Sequence, residues 1–71
     1  MTADEFPQRL RQLRERRRMN RAVLGELCGL SKDTIRKYER GDRKPSIDSL
    51  KVLADFFDVS TDYLLGRKKF L

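Results

Sequence analysis

The sequence predicts an all-α domain of five helices and no strands, on three observations. Apolar residues recur at helical spacing, most fully at i, i+3, i+4 and i+7 in the segment after Ser46. Asn20, Ser31, Ser46 and Ser60 each stand where a side-chain oxygen can cap a helix. Gly29, Gly41 and Gly66 stand where the helices must stop.

The first helix is expected from about Asp4 to Arg18. Pro7 is tolerated in its first turn, Phe6, Leu10 and Leu13 form its inner stripe, and Met19 and Asn20 end it. In the second helix Leu24 and Leu27 face one way and Cys28 lies on the inner side, expected to pack in the core. Ser31 opens a third helix with Ile35 and Tyr38 inward at i and i+3, leaving Lys32, Asp33, Arg36 and Lys37 outside. Residues 41–45 read as a loop. The fourth helix points Ile47, Leu50, Leu53, Ala54 and Phe57 inward. Asp58-Val59 connects it to a fifth, which carries Asp62 in its first turn. Residues 1–66 are expected to make one domain and residues 67–71 a C-terminal tail.

Composition removes several function classes. The chain has 71 residues, no histidine and one cysteine. There is therefore no imidazole base, no multi-thiolate metal site within one chain and no intramolecular disulfide. No glycine loop of the phosphate-cradling kind occurs, and Asp48, Asp55, Asp58 and Asp62 read as caps and solvated charge. An enzyme, a metal and a cofactor are not expected. No apolar run is long enough for a membrane span and no signal-peptide pattern opens the chain, so a cytoplasmic location is expected.

Net charge is +6, and it is unevenly placed. Up to Pro45 there are 13 Lys or Arg against 7 Asp or Glu; from Ser46 onward there are 4 against 4. A polyanionic partner would meet the first two thirds, with salt-dependent affinity.

Residues 20–41, NRAVLGELCGLSKDTIRKYERG, have the form of two short helices around a tight turn, the second basic on its outer face. A helix-turn-helix needs that arrangement, because its second helix must reach base edges in the major groove. Taken in order, LRQLRERRRMN, GLSKDTIRKYERGDRKPS and IDSLKVLADFFDVSTDYLLG resemble the XRE-type family that includes the lambdoid phage repressors and Cro proteins. The resemblance spans about Phe6 to Gly66. Its most specific pieces are Tyr38-Glu39-Arg40-Gly41 with Pro45-Ser46, and the stretch from Ser60 to Gly66.

The resemblance implies a five-helix, lambda-repressor-like DNA-binding domain and double-stranded DNA as partner. Its recognition helix falls on about residues 31–39, with Lys32, Asp33, Arg36 and Lys37 facing bases or adjacent phosphates. Lys and Arg can donate to guanine and Asp can accept from cytosine N4. Arg21, Ser31, Arg40, Arg43, Lys44 and Ser46 fall at phosphate-contacting places, a helix N-terminus among them. Arg21 stands where the family often has Gln, which puts its bracing role in doubt. Arg14 and Glu39 resemble the family's structural ion pair. Gly25 replaces a usual Ala, at about 1 kcal/mol of helix propensity, and Asp58 stands where a Gly often closes the fourth helix.

Two functions are weighed. One is a transcriptional regulator, most simply a repressor, reading operator DNA. The other is an interaction protein, antitoxin-like, that uses the fold mainly to hold a protein partner. A weak homodimer is expected through Val52, Phe56, Tyr63, Phe70 and Leu71, an apolar group confined to the neutral third.

Overall fold

Four side chains start four of the helices. Asn20 Oδ1 accepts from the Val23 N–H at 2.8 Å, Ser31 Oγ from Thr34 at 3.0 Å, Ser46 Oγ from Ser49 at 3.1 Å and Ser60 Oγ from Tyr63 at 3.0 Å. Each satisfies one N–H that the first turn leaves without an intrahelical acceptor. The computed structural model describes residues 5–69. Within them the order is α1 (Phe6–Arg16), α2 (Arg21–Cys28), α3 (Lys32–Arg40), α4 (Ile47–Phe57) and α5 (Thr61–Leu64), with no strand among the described residues.

Every helix sends one side chain to the centre. Leu10, Leu24, Ile35, Leu53 and Leu64 are wholly buried, joined by Phe6, Tyr38 and Phe57. Phe6 and Tyr38 meet edge to face with ring centroids 5.6 Å apart, which joins the start of α1 to α3. Cys28 is buried here too, and loss of hydration pushes its thiol pKa up.

Helix α1 ends two residues before the sequence predicts. Arg17 is its C-cap and Arg18 takes a left-handed φ of 55°, so that the Arg18 N–H reaches the Glu15 carbonyl and the Met19 N–H that of Arg14. An arginine at that conformation gives no sequence signal, because glycine or asparagine is the usual occupant. Gly29 and Gly41 close α2 and α3 in the left-handed region, at φ 72° and 77°. Asp58 closes α4 at φ 57°, where the side chain carries a steric penalty that glycine avoids.

Two expected core residues face solvent. Leu27 is 61% exposed because the buried stripe of α2 is narrow, centred on Leu24, Gly25 and Cys28, and Leu27 lies about 100° of helical rotation from its middle. Ile47 is 78% exposed. It lies on the inward side of α4, but in the first turn, past the edge of the core. Beside it opens a cleft of about 410 Å³ lined by Phe6, Pro45, Leu50 and Leu65, with Lys44 and Arg67 at its sides.

Arg9 fastens the last described turn to α1. Its Nη1 donates to the carbonyls of Tyr63 at 2.9 Å and Lys68 at 2.7 Å, and its guanidinium lies 4.2 Å over the Tyr63 ring. The expected tail is thus bound to the body at Lys68; Phe70 and Leu71 lie outside the described residues. No described helix is long and apolar enough to cross a membrane.

Candidate nucleic-acid interface

The turn between α2 and α3 is unusually close. A Cβ added at Gly25 would sit 2.6 Å from the Leu30 carbonyl oxygen and 3.0 Å from the Ser31 carbonyl carbon. Even alanine is too large there, so the residue that weakens α2 as a helix is the one that lets α3 fold back across it.

A buried carboxylate fixes the orientation of α3. Glu39 Oε2 accepts from Arg14 Nε at 2.7 Å and Oε1 from Arg14 Nη2 at 2.9 Å, a bidentate pair. Arg21 Nε reaches Oε1 at 3.1 Å and Arg11 Nε lies 3.6 Å away. The Glu39 side chain has no exposed surface. Arg14 also donates to the Met19 carbonyl at 2.8 Å, and its hydrogen bond to Glu39 raises its pKa against the opposing effect of burial. Helices α1, α2 and α3 are therefore locked at one carboxylate. Arg21, which stands where the family often has Gln, reaches α3 through Glu39. Sequence reasoning did not include Arg11, because nothing local brings it near Glu39.

Between the starts of α2 and α3 lies a cleft of about 490 Å³ lined by Arg14, Arg21, Lys32, Asp33 and Arg36, with Asn20 and Ala22. Three of the four predicted base-facing residues thus share one surface with Arg21. Lys37 projects a turn further along α3 and is half-exposed. Lys32 forms no ion pair among the described residues, whereas Asp33 holds Arg36 through Nε at 3.2 Å and Nη2 at 2.5 Å, and Lys37 at 3.4 Å. Hydrogen bonds from Arg36 and then Lys37 hold the Asp33 pKa below the usual carboxylate range.

The predicted phosphate-facing residues divide in two. Ser31 and Ser46 are exposed, but each Oγ already accepts the capping N–H, and Ser31 shares a further bond with Thr34 Oγ1 at 2.9 Å. Arg40 pairs with Asp42 at 3.3 Å. Arg43 and Lys44 are exposed on the loop before α4 and form no ion pair among the described residues.

Of the expected seam residues that are described, Val52 and Phe56 stand one turn apart on α4 and Tyr63 on α5. Tyr63 is 8% exposed beneath Arg9, so it has almost no area to offer a partner. Phe56 is half-buried against Phe57 under the Arg17 guanidinium, 5.2 Å from its ring. Val52 is 41% exposed.

The family model described as helix-turn-helix matches residues 10–64. The chain belongs to the XRE-type helix-turn-helix family. It is 43% identical over 61 residues to the HTH-type transcriptional regulator AnsR of Bacillus subtilis, covering 86% of this chain and 53% of that one. It is 33% identical over 65 residues to repressor protein C2 of Salmonella phage P22, covering 92% and 30%. The chain thus spans about half the length of the Bacillus relative and less of the phage one. Among solved structures it is similar to the P22 c2 repressor protein in complex with a synthetic operator. The TM-score is 0.82 and the identity 32%, over 86% of this chain and 94% of that one. The five helices of the described residues form the same fold as the DNA-binding domain of the P22 c2 repressor.

Proposed function

We propose that this chain is the sequence-reading domain of a transcriptional regulator, a repressor in its simplest form, that binds operator DNA with α3 in the major groove. The observation that carries the reading is the outer face of α3. It stands beside the start of α2 over one cationic cleft, held in orientation by the Glu39 carboxylate. A helix so placed can put Lys32 and Arg36 against base edges, while Arg43 and Lys44 grip phosphate on the adjoining backbone. The names of the relatives and the operator bound to the P22 repressor support DNA over a protein partner.

The test is selection from random duplexes, followed by titration of the selected sequence across salt. A defined sequence should emerge, with affinity falling steeply as salt rises. Arg36→Ala and Lys32→Ala should each relax preference at one base position, by about 1–3 kcal/mol. Arg43→Ala should weaken all sequences alike and lower the salt slope by about one. Equal losses on every sequence for all three variants would overturn the assigned roles.

A further inference from the structure

Asp33 sits in the first turn of α3, exposed, at the edge of the cationic cleft, with its carboxylate committed to two cations of its own helix. Its grip on Arg36 is one-sided. Both hydrogen bonds come from the side edge of the guanidinium, Nε and Nη2, and both end on Oδ1. A guanidinium carries five N–H donors, so the end edge, formed by Nη1 and the outer hydrogen of Nη2, stays available as a parallel pair. That pair matches guanine O6 and N7. The same carboxylate puts negative charge at the edge of the cationic cleft, where it engages the two cations, Arg36 and Lys37, that a phosphate would otherwise take.

We propose that Asp33 is a specificity-determining positioning residue rather than a reader of cytosine: it aims the end edge of Arg36 at a guanine and penalises binding to non-cognate DNA. This rests on the operator-binding reading above. Cognate binding keeps the Asp33–Arg36 pair intact, since the base takes the other edge. Non-cognate binding must either break the pair or bring phosphate close to a carboxylate, and both are unfavourable.

The experiment compares the unsubstituted chain with Asp33→Asn, Arg36→Ala and the double variant. Each is titrated against the selected duplex, single-base variants of it and an unrelated duplex, by fluorescence anisotropy at two salt concentrations. Circular dichroism melting confirms that α3 persists in each. Asp33→Asn should tighten binding to the unrelated duplex about tenfold and lower the specific-to-unspecific ratio by at least that factor. Its lost preference should fall at the base pair relaxed by Arg36→Ala, and in the Arg36→Ala background it should change that preference no further. Three outcomes would overturn the proposal: an unchanged ratio, which makes Asp33 only a solvated charge; relaxation at a different pair, a cytosine, which makes it a direct reader; or full additivity with Arg36→Ala. A chain that selects no sequence at all would overturn the operator-binding reading itself.

Discussion

Glu39 shows how much one side chain can settle. With no exposed surface and guanidiniums from α1 and α2 around it, it converts sequence-distant cations into a fixed angle between helices. Removing it leaves Arg14 buried and unpaired, which is far more costly than losing a surface ion pair. Glu39→Ala should lower unfolding stability by about 3–5 kcal/mol, measured by urea denaturation. A domain of this size holds only roughly 4–10 kcal/mol in all, so the variant should lose a large share of its stability. Arg21→Gln should behave differently. Its side chain is about a third exposed, and Arg14 alone satisfies Glu39 bidentately, so stability should change by less than about 1 kcal/mol. A loss from Arg21→Gln as large as that from Glu39→Ala would show that the brace, and not the buried pair, holds α3.

At the scale of elements, two positions exchange the usual glycine preference. Gly25 sits inside a helix, where alanine is intrinsically better by about 1 kcal/mol, yet its missing Cβ is what the turn requires. The obstacle is backbone, which cannot swing aside like a flexible side chain. Gly25→Ala should therefore destabilise the domain by a net of about 1–2 kcal/mol, overpacking outweighing helix propensity. Asp58 is the converse, a side chain in the left-handed region at the end of α4. Asp58→Gly should stabilise by about 0.5–1 kcal/mol. Thermal melting resolves both, since 1 kcal/mol shifts the midpoint of a domain this size by about 4–8 °C. A stabilised Gly25→Ala would mean that α2 and α3 can separate without cost.

What the sequence made legible follows the same division. The caps at Asn20, Ser31, Ser46 and Ser60 were readable because capping is a bond across three residues. The end of α1 was not, because Arg18 adopts a conformation that its residue type does not announce. Leu27 and Ile47 were assigned inward by spacing, which identifies an apolar stripe but not how much of it a neighbouring element covers. In the site, the outer face of α3 could be read from periodicity. The arrival of Arg11 and Arg21 at Glu39 could not, since it depends on how three helices cross. The Asp33–Arg36 pair, at i and i+3, was within reach of local rules.

Over the whole molecule, exposed apolar side chains lie on both sides of the charge border, Val23 and Leu27 within the cationic part and Ile47 and Val52 beyond it. The excess of cations ends at Pro45, and Ile47, with its neighbouring cleft, lies just beyond that border. The body measures 30 × 24 × 22 Å, close to the ~34 Å of one DNA turn, so copies on adjacent half-sites of one face would be near enough to touch. Of the exposed large apolar side chains, Ile47 has the greatest exposure, and Val52 has barely half as much. If two copies pair on DNA, Ile47 offers a seam more apolar surface than Val52 or the half-buried Phe56. Lys44 and Arg67 line that cleft, so a second copy seated on it would bring like charges close. Repulsion would keep such a dimer weak in free solution, and neighbouring phosphates would relieve it on DNA. Sedimentation equilibrium should find mainly monomer without DNA and two copies per operator with it. Ile47→Glu should abolish cooperative loading beyond any loss of affinity for an isolated half-site, which the new carboxylate beside the predicted phosphate-facing Lys44 and Ser46 lowers on its own and which is measured separately. Val52→Glu should leave both unchanged. If instead Val52→Glu removes cooperativity and Ile47→Glu does not, the seam lies along α4 and the cleft beside Ile47 plays no part in assembly.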